Sequence, residues 1–275
     1  MRNLYNRLVL FFGRPSLQFL FEKLFRILIG FMGYMNWSSD FKMTGEKKLL
    51  QKLERNFELN LLLDVGANSG QWANLALQFT SADVISFEPQ KETYSLLLNL
   101  QEQFKDRLLT FNLAIGCIRK NVLLYTHNYS TELSFTDDRL TKMPLLVNKS
   151  NEGDLVQMET LDYLYEQNSD MFKNLDFIKI DVEGSELNVL LGAQNLVKQT
   201  EPCFIQIEVN WHHLFTKSSL YQFSLLLPDY RCFKILPGGS ILKEIDPKYP
   251  LNNLYQLSNF LFVRSDIANS LSKSK

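Results

Sequence analysis

From about residue 60 onward, short apolar runs alternate with helix-spaced segments, and this alternation is the strongest constraint on the fold. "LNLLLDV" (59–65) reads as a buried strand and "GQWANLALQF" (70–79) as the helix after it. "ADVISFEP" (82–89) is a second strand, stopped by Pro89, and "QKETYSLLLNLQEQF" (90–104) a second helix. "LLTFNLAIG" (108–116), "LDFIKIDVEG" (175–184) and "PCFIQIEVN" (202–210) are further strands, with the helix "SELNVLLGAQNLVK" (185–198) between the last two. Strands and helices in this order require crossover connections, hence a doubly wound, mostly parallel sheet with helices on both faces. "YRCFKIL" (230–236) and "NFLFVR" (259–264), separated by the turn signals "PGG" and "PKYPLNN", are expected to pair antiparallel at one edge. Residues 119–158 are polar and turn-rich, and read as an irregular insertion, either a binding loop or lid or a plain surface excursion.

At 275 residues the chain can bury a full core. A net charge of −1 gives no support to nucleic-acid binding, which shows a basic stripe. Cys117, Cys203 and Cys232 are scattered, without metal-ligand spacing, and their odd number argues against a disulfide framework. A cytoplasmic location is expected.

The first 33 residues differ from the rest. "LVLFF" (8–12) and "LQFLFEKLFRILIGFM" (17–32) are apolar, but charged residues keep both below the roughly 18 uninterrupted apolar residues of a membrane span. No small-residue cleavage site follows them, so a signal peptide is not expected. Gln18, Glu22 and Arg26 make one narrow polar stripe on an otherwise apolar helix. Arg2, Arg7, Arg14, Lys23 and Arg26 stand against the single acid Glu22. Such a helix is covered by the domain, by a twin subunit in a homodimer, or by peripheral contact with an anionic membrane face.

The first predicted strand ends on Asp64 and runs into "GANSG" (66–70). In doubly wound sheets ligands bind beyond the carboxyl ends of the strands. Gly66 and Gly70 keep the turn tight and let a ligand approach the backbone. Glu88, ending the next strand, is placed to grip ribose hydroxyls, because a carboxylate accepts two hydrogen bonds. A dinucleotide loop would be G-x-G-x-x-G; here Asn68 replaces the middle glycine and a carboxylate precedes the turn. That charge suits a cationic ligand, and S-adenosylmethionine carries a sulfonium, an ammonium and a ribose but no phosphate. Farther on, Asp181 and Glu183 bracket another strand end, and Lys179 is placed to pair with one of these acids. Glu186 opens the next helix, where a carboxylate suits the positive dipole end. Glu208 ends the following strand, just before "WHH" (211–213). His212 and His213 read either as base or hydrogen-bonding groups or as surface residues of a helix start.

"DVGANSGQW", "FEPQKETYSLLLNL", "FNLAIG", "LDYL" (161–164), "IKIDVEGSELNVLLGA", "IEVN" and "SNFLFV" together resemble the FkbM methyltransferase family over roughly residues 44–264. "TGE" (44–46) is similar to a segment just upstream of the core in many members. The resemblance implies a Rossmann-like S-adenosylmethionine-dependent O-methyltransferase acting on a hydroxyl of a sugar, glycolipid or secondary metabolite. It implies three regions: an apolar helical extension (1–43), the methyltransferase domain (44–266) and a polar tail (267–275). Asp64, Gly66, Ala67, Asn68 and Gly70 are then expected around the methionine part of the cofactor, Glu88 at the ribose, Ala114 at the adenine, and Asp181 nearest the methyl. Glu183, Glu208 and His212 are candidates for proton acceptance or acceptor binding. No metal is assigned, although a carboxylate cluster could hold a divalent cation that acidifies the acceptor hydroxyl. The competing classes are a nicotinamide-dependent oxidoreductase and a non-catalytic partner in a glycan assembly complex.

Overall fold

The computed structural model describes residues 2–34, 40–127, 130–142, 153–237 and 242–273. Two helices open the chain, α1 (Arg2–Phe12) and α2 (Pro15–Phe31), followed by α3 (Phe41–Thr44) and α4 (Glu46–Phe57). The alternating core comprises β1 (Leu61–Val65), α5 (Gln71–Phe79), β2 (Asp83–Phe87), α6 (Lys91–Gln103), β3 (Leu108–Phe111) and β4 (Ala114–Ile115). Next come β5 (Lys120–His127), β6 (Ser130–Phe135), β7 (Asp154–Glu159) and α7 (Leu161–Gln167). The last part holds β8 (Leu175–Ile180), α8 (Glu186–Leu191), α9 (Gln194–Thr200), β9 (Phe204–Val209), α10 (His212–Thr216), α11 (Leu220–Leu226), β10 (Tyr230–Ile235), β11 (Leu242–Glu244), β12 (Ser258–Arg264) and α12 (Ala268–Lys273).

The main sheet has the order β11-β10-β12-β9-β8-β1-β2-β3. Strands β3, β2, β1, β8 and β9 are parallel, and β12, β10 and β11 continue antiparallel. The chain winds outward from β1 to β3, then returns to β8 on the other side of β1, so the switch point lies between β1 and β8.

Both faces of the parallel strands are covered, and strand period sorts the side chains between two apolar layers. Leu61, Leu63, Val65, Ile178, Ile180, Ile205 and Ile207 enter one layer, beneath α8, α9 and α11. Leu62, Phe177 and Phe204 enter the other, beneath α4 and α5. Asp64, Lys179 and Gln206 follow on that second face and sit side by side in register. A polar row therefore crosses an otherwise apolar face, at the end where ligands bind.

Four features differ from the sequence expectation. The insertion at 119–158 is not irregular throughout: β5, β6 and β7 join β4 in a small second sheet, order β4-β7-β5-β6, while 128–129 and 143–152 lie outside the described residues. Helix α4 was not foreseen; Leu49, Leu50 and Leu53 bury its apolar side. Residues 268–273, expected as polar tail, form α12, with Ala268 and Leu271 buried. Strand β11 extends the antiparallel edge, and part of the "PGG" turn lies outside the described residues.

Candidate active site

A cavity of about 650 Å³ opens over the carboxyl ends of β1, β2, β8 and β9. That volume lies within the roughly 300–1,000 Å³ of small-molecule sites. Its wall includes Gly66, Ala67, Asn68, Glu88, Ala114, Asp181, Glu183, Glu208 and His212, brought together from residues up to 146 positions apart (212 − 66). Asp64 and Gly70 are not part of the wall.

The glycine loop is shaped by the chain rather than by a ligand. Gly66 has φ 85°, and a Cβ there would lie 1.8 Å from the Asp181 carbonyl oxygen, so the loop after β1 can press against the loop after β8 only with glycine. A Cβ on Gly70 would meet Leu97 and Leu100 of α6, at 2.7 and 2.9 Å. Both glycines are thus required by packing as well as by the turn, Gly66 against the backbone after β8 and Gly70 against side chains of α6, and Gly66 also lines the cavity. Asn68 has φ 49°, a left-handed conformation asparagine tolerates better than most residues, which accounts for its place in the loop.

Every amide from 66 to 70 is already engaged. Gly66 and Ala67 donate to the Phe87 carbonyl, and Gly70 donates to that of Ala67. Asn68 N–H donates to Glu88 Oε2 (2.7 Å), and Ser69 N–H to Asn68 Oδ1 (2.6 Å). Phosphate sites at such turns need free N–H groups. The loop from 66 to 70 itself offers none.

Glu88 is buried, and its other oxygen accepts from Gln90 N–H (2.8 Å) and Thr93 Oγ1–H (3.0 Å). Burial raises its pKa, and those bonds oppose the shift. A carboxylate has about four lone-pair sites. Three are occupied, so Glu88 retains capacity for about one hydroxyl rather than the two expected from its position alone.

The strongest electrostatic feature lies opposite. Asp181, Glu183 and Glu208 bring carboxylate oxygens within 4.8 Å of one another. Sequence spacing shows no such ligand set, because the three acids come from two strand ends; this is also the spacing of ligands around a cation. Asn210 Nδ2–H donates to Glu183 (3.2 Å) and Glu208 (3.3 Å). His212 Nδ1 lies 2.9 Å from Glu183 Oε2. Burial, then the neighbouring Asp181 and Glu183, hold the Glu208 carboxyl well above the ordinary carboxylate range. Burial also raises Glu183, against the His212 contact. Glu183 itself has φ 53°, an uncommon conformation that turns the chain at the cluster.

Lys179 supplies the balancing charge. Its Nζ lies 3.0 Å from Asp181 and 3.6 Å from Asp64. Burial alone would lower its pKa, but Asp181, then Asp64 and Glu46, raise it above the ordinary value. Burial pushes Asp64 up to about 6 despite Lys179. Asp64 is therefore a counter-ion behind the wall, not the cofactor contact expected of it. Glu186 does more than start a helix: it is buried, accepts from Val182 N–H and Gly184 N–H, and pairs with His213 Nε2 at 2.8 Å. Both histidines are buried, so the surface reading fails for each, but only His212 reaches the cavity.

Residues missed in the sequence include Asn210, Glu46 and the aromatic side chains Trp211 and Phe135, all of which line the cavity. Glu46 is buried, accepting from Thr44 Oγ1–H (2.6 Å) and Gln206 Nε2–H (2.8 Å). Its signal was the "TGE" segment, and that of Asn210 its place at the end of "IEVN".

The profile of the Methyltransferase FkbM domain matches residues 64–231, more than half of the chain. The chain belongs to the FkbM methyltransferase family. No curated protein matches it. Among solved structures it is similar to an O-methyltransferase from Bacillus cereus in complex with SAH (12% identity, 88% of this chain and 90% of that one, TM-score 0.47). It is also similar to a SAM-dependent methyltransferase from Agrobacterium tumefaciens (8%, 82% and 62%, TM-score 0.45). A third likeness is to precorrin-6y C5,15-methyltransferase from Geobacter metallireducens (10%, 80% and 88%, TM-score 0.40).

As an FkbM methyltransferase the protein uses S-adenosylmethionine, and the wall fits that cofactor. Glu46, Glu88, Asp181, Glu183 and Glu208 face one lysine, so the cavity favours a cationic ligand. Leu113, Ala114 and Ile115 offer an apolar edge near Glu88 for a flat base. Glu88→Ala is expected to weaken S-adenosylhomocysteine binding about 10–100-fold, the worth of one charge-assisted hydrogen bond plus a loosened Asn68 amide. Isothermal titration measures this, with a melting curve to show the fold persists. An unchanged Kd would remove Glu88 from the ribose site.

Proposed function

We propose that this FkbM methyltransferase methylates a hydroxyl oxygen of a sugar-containing acceptor, whether glycan, glycolipid or glycosylated secondary metabolite. The observation that carries the reading is the Asp181–Glu183–Glu208 cluster beside the cofactor crevice, with His212 against Glu183. A hydroxyl must lose its proton as its oxygen takes the methyl, and a carboxylate whose pKa is raised is a stronger base for that proton than an ordinary one. When bound, S-adenosylmethionine supplies an electrophilic methyl carried on a positive sulfur. The chain's own residues do the rest. Asp181 and the loop Gly66–Asn68, which share the cavity wall, would hold the cofactor's positive end. Glu208 takes the hydroxyl proton, and Asn210 keeps Glu208 and Glu183 oriented. Trp211 and Phe135 give the acceptor side an apolar surface next to these acids, which suits a sugar ring with its C–H face and its hydroxyl edge.

The test is transfer of a labelled methyl from S-adenosylmethionine to fractionated glycan, glycolipid and small-molecule extracts. Label recovered as an O-methyl sugar after acid hydrolysis is the expected result. Label confined to protein or nucleic acid, or to nitrogen, would overturn the assignment. Titration is expected to show binding of S-adenosylhomocysteine and none of NAD, because the acidic wall repels a pyrophosphate.

A further inference from the structure

The opening helices are not covered by the domain. On α2, Leu20, Leu24, Ile27 and Phe31 form one stripe and are 60, 48, 56 and 78% exposed. Gln18, Glu22 and Arg26 lie away from this stripe, and Lys23 flanks it. On α1, Leu4, Leu8 and Phe11 form a similar stripe, also exposed, with Asn6 opposite and Asn3 and Arg7 flanking it. The helices touch each other through Phe12 and Phe21, whose ring centroids are 6.1 Å apart. Among the described residues, the extension meets the body near its end. Ile29 and Tyr34 enter the main core, the Tyr34 hydroxyl donates to the Leu251 carbonyl (2.8 Å), and Lys234 Nζ lies 3.1 Å from its ring centroid. Among the described residues, then, the domain leaves these apolar faces open.

We infer that this face docks on an anionic bilayer surface. Charge decides between lipid and a second copy of the chain. The extension carries five basic side chains against Glu22, so pairing it with itself would bring like charges together, whereas an anionic headgroup layer complements them. The basic groups sit at the rim of the apolar faces: Arg14 lies 4.9 Å from the Phe11 ring centroid and Lys23 4.3 Å from that of Phe19. Long cationic side chains placed so can reach headgroups while the rings enter the acyl boundary. Among the described residues no helix is long and apolar enough to cross a membrane, which leaves the helices lying in the interface. The patch continues onto the body at Tyr249 and Leu251, exposed beside Lys248, in the turn that Tyr34 grips. Farther along the same segment Phe41 and Thr44 line the cavity, so a chain anchored here holds its active site near the bilayer.

Flotation of the full-length protein tests the inference without reference to activity, and so independently of the acceptor assignment. Two vesicle types are used: phosphatidylcholine alone, and phosphatidylcholine with phosphatidylglycerol. The protein is expected to float with the anionic vesicles and to lose at least about 10-fold in partitioning in high salt, or as the full-length R7Q/R14Q/K23Q/R26Q variant, since each basic group contributes appreciably near the surface. L20Q/L24Q is expected to stay at the bottom of the gradient with an unchanged melting curve, because both side chains are exposed. Failure to float with either vesicle overturns the inference. If sedimentation velocity then shows a dimer that L20Q/L24Q dissociates, a second copy covers the face. Equal flotation with neutral vesicles, unaffected by the charge variant, overturns the electrostatic basis.

Discussion

Glu208→Gln is expected to lower methyl transfer by about 10²–10⁴-fold, the range for loss of a general base, while leaving S-adenosylhomocysteine binding nearly unchanged. The side chain keeps its shape and its contact with Asn210 but can no longer take a proton. The same change is expected to stabilise the fold. Glu208 is held above the ordinary carboxylate range by burial and by Asp181 and Glu183, so its folded pKa exceeds its unfolded one. The folded chain then binds more protons than the unfolded chain between those values, and the charged cluster costs stability as pH rises through that window. The neutral amide removes this cost. The gain over wild type is expected to be on the order of 1 kcal/mol above neutral pH, roughly 2–4 °C in Tm, and to shrink as pH falls toward the unfolded carboxylate pKa. Melting curves against pH read the stability part; single-turnover transfer to the acceptor fraction found by labelling reads the catalytic part. If Glu208→Gln and Glu183→Gln both turn over normally, proton acceptance passes to His212. The acid limb of the wild-type pH–rate profile belongs to the cluster as a unit and is expected above the ordinary carboxylate range.

Much of this site was legible because each acid ends an apolar run. Asp64, Glu88, Asp181 and Glu208 all sit where a strand's hydrophobic pattern stops, and the doubly wound fold gathers strand ends on one edge. Polar residues within the runs carried a second signal. Lys179 in "FIKID" and Gln206 in "FIQIE" interrupt strands that must be buried on both faces, and such a residue needs a buried partner. Which partner was not legible, because it depends on register: Asp64, Lys179 and Gln206 become neighbours only when three strands align. The packing roles of Gly66 and Gly70 were not legible for a related reason. A turn's need for glycine shows in sequence, whereas the atom that forbids a Cβ, here the Asp181 carbonyl or Leu97, lies far along the chain. The small second sheet escaped notice because β5 and β7 each expose one face, at Leu123 and Leu155 among others, and the residues between them read as turns. At the extension, composition gave amphipathic helices, but whether the domain covers them is a tertiary property.

The buried lysine yields the largest expected change in stability. Lys179→Met is expected to destabilise the protein by about 3–5 kcal/mol at pH 8, the cost of leaving a buried charge without its counter-ion. Methionine fills much of the same volume, so a cavity does not explain the loss. What remains is Asp64, fully buried, with Asp181 nearby and no ammonium between them. The pH dependence separates this mechanism from simple misfit. Asp64 already titrates at about 6 with Lys179 present, and removing the opposing charge moves it higher still. A carboxyl with a folded pKa above its unfolded value of about 3.9 costs stability that grows as pH rises through that interval and is relieved as pH falls. The lysine titrates far above this range in both states and contributes no slope between pH 5 and 8. The deficit of the variant relative to wild type is therefore expected to narrow as pH falls from 8 to 5. Adding Asp64→Leu is expected to restore much of the loss at pH 8, because the pair is then replaced as a unit and Asp181, partly exposed, can be solvated. Denaturant unfolding of wild type, single and double variants at both pH values provides the measurement. A deficit that is independent of pH, or undiminished in the double variant, would mean that Lys179 supports the sheet by packing alone and that Asp64 is not charged behind the active site.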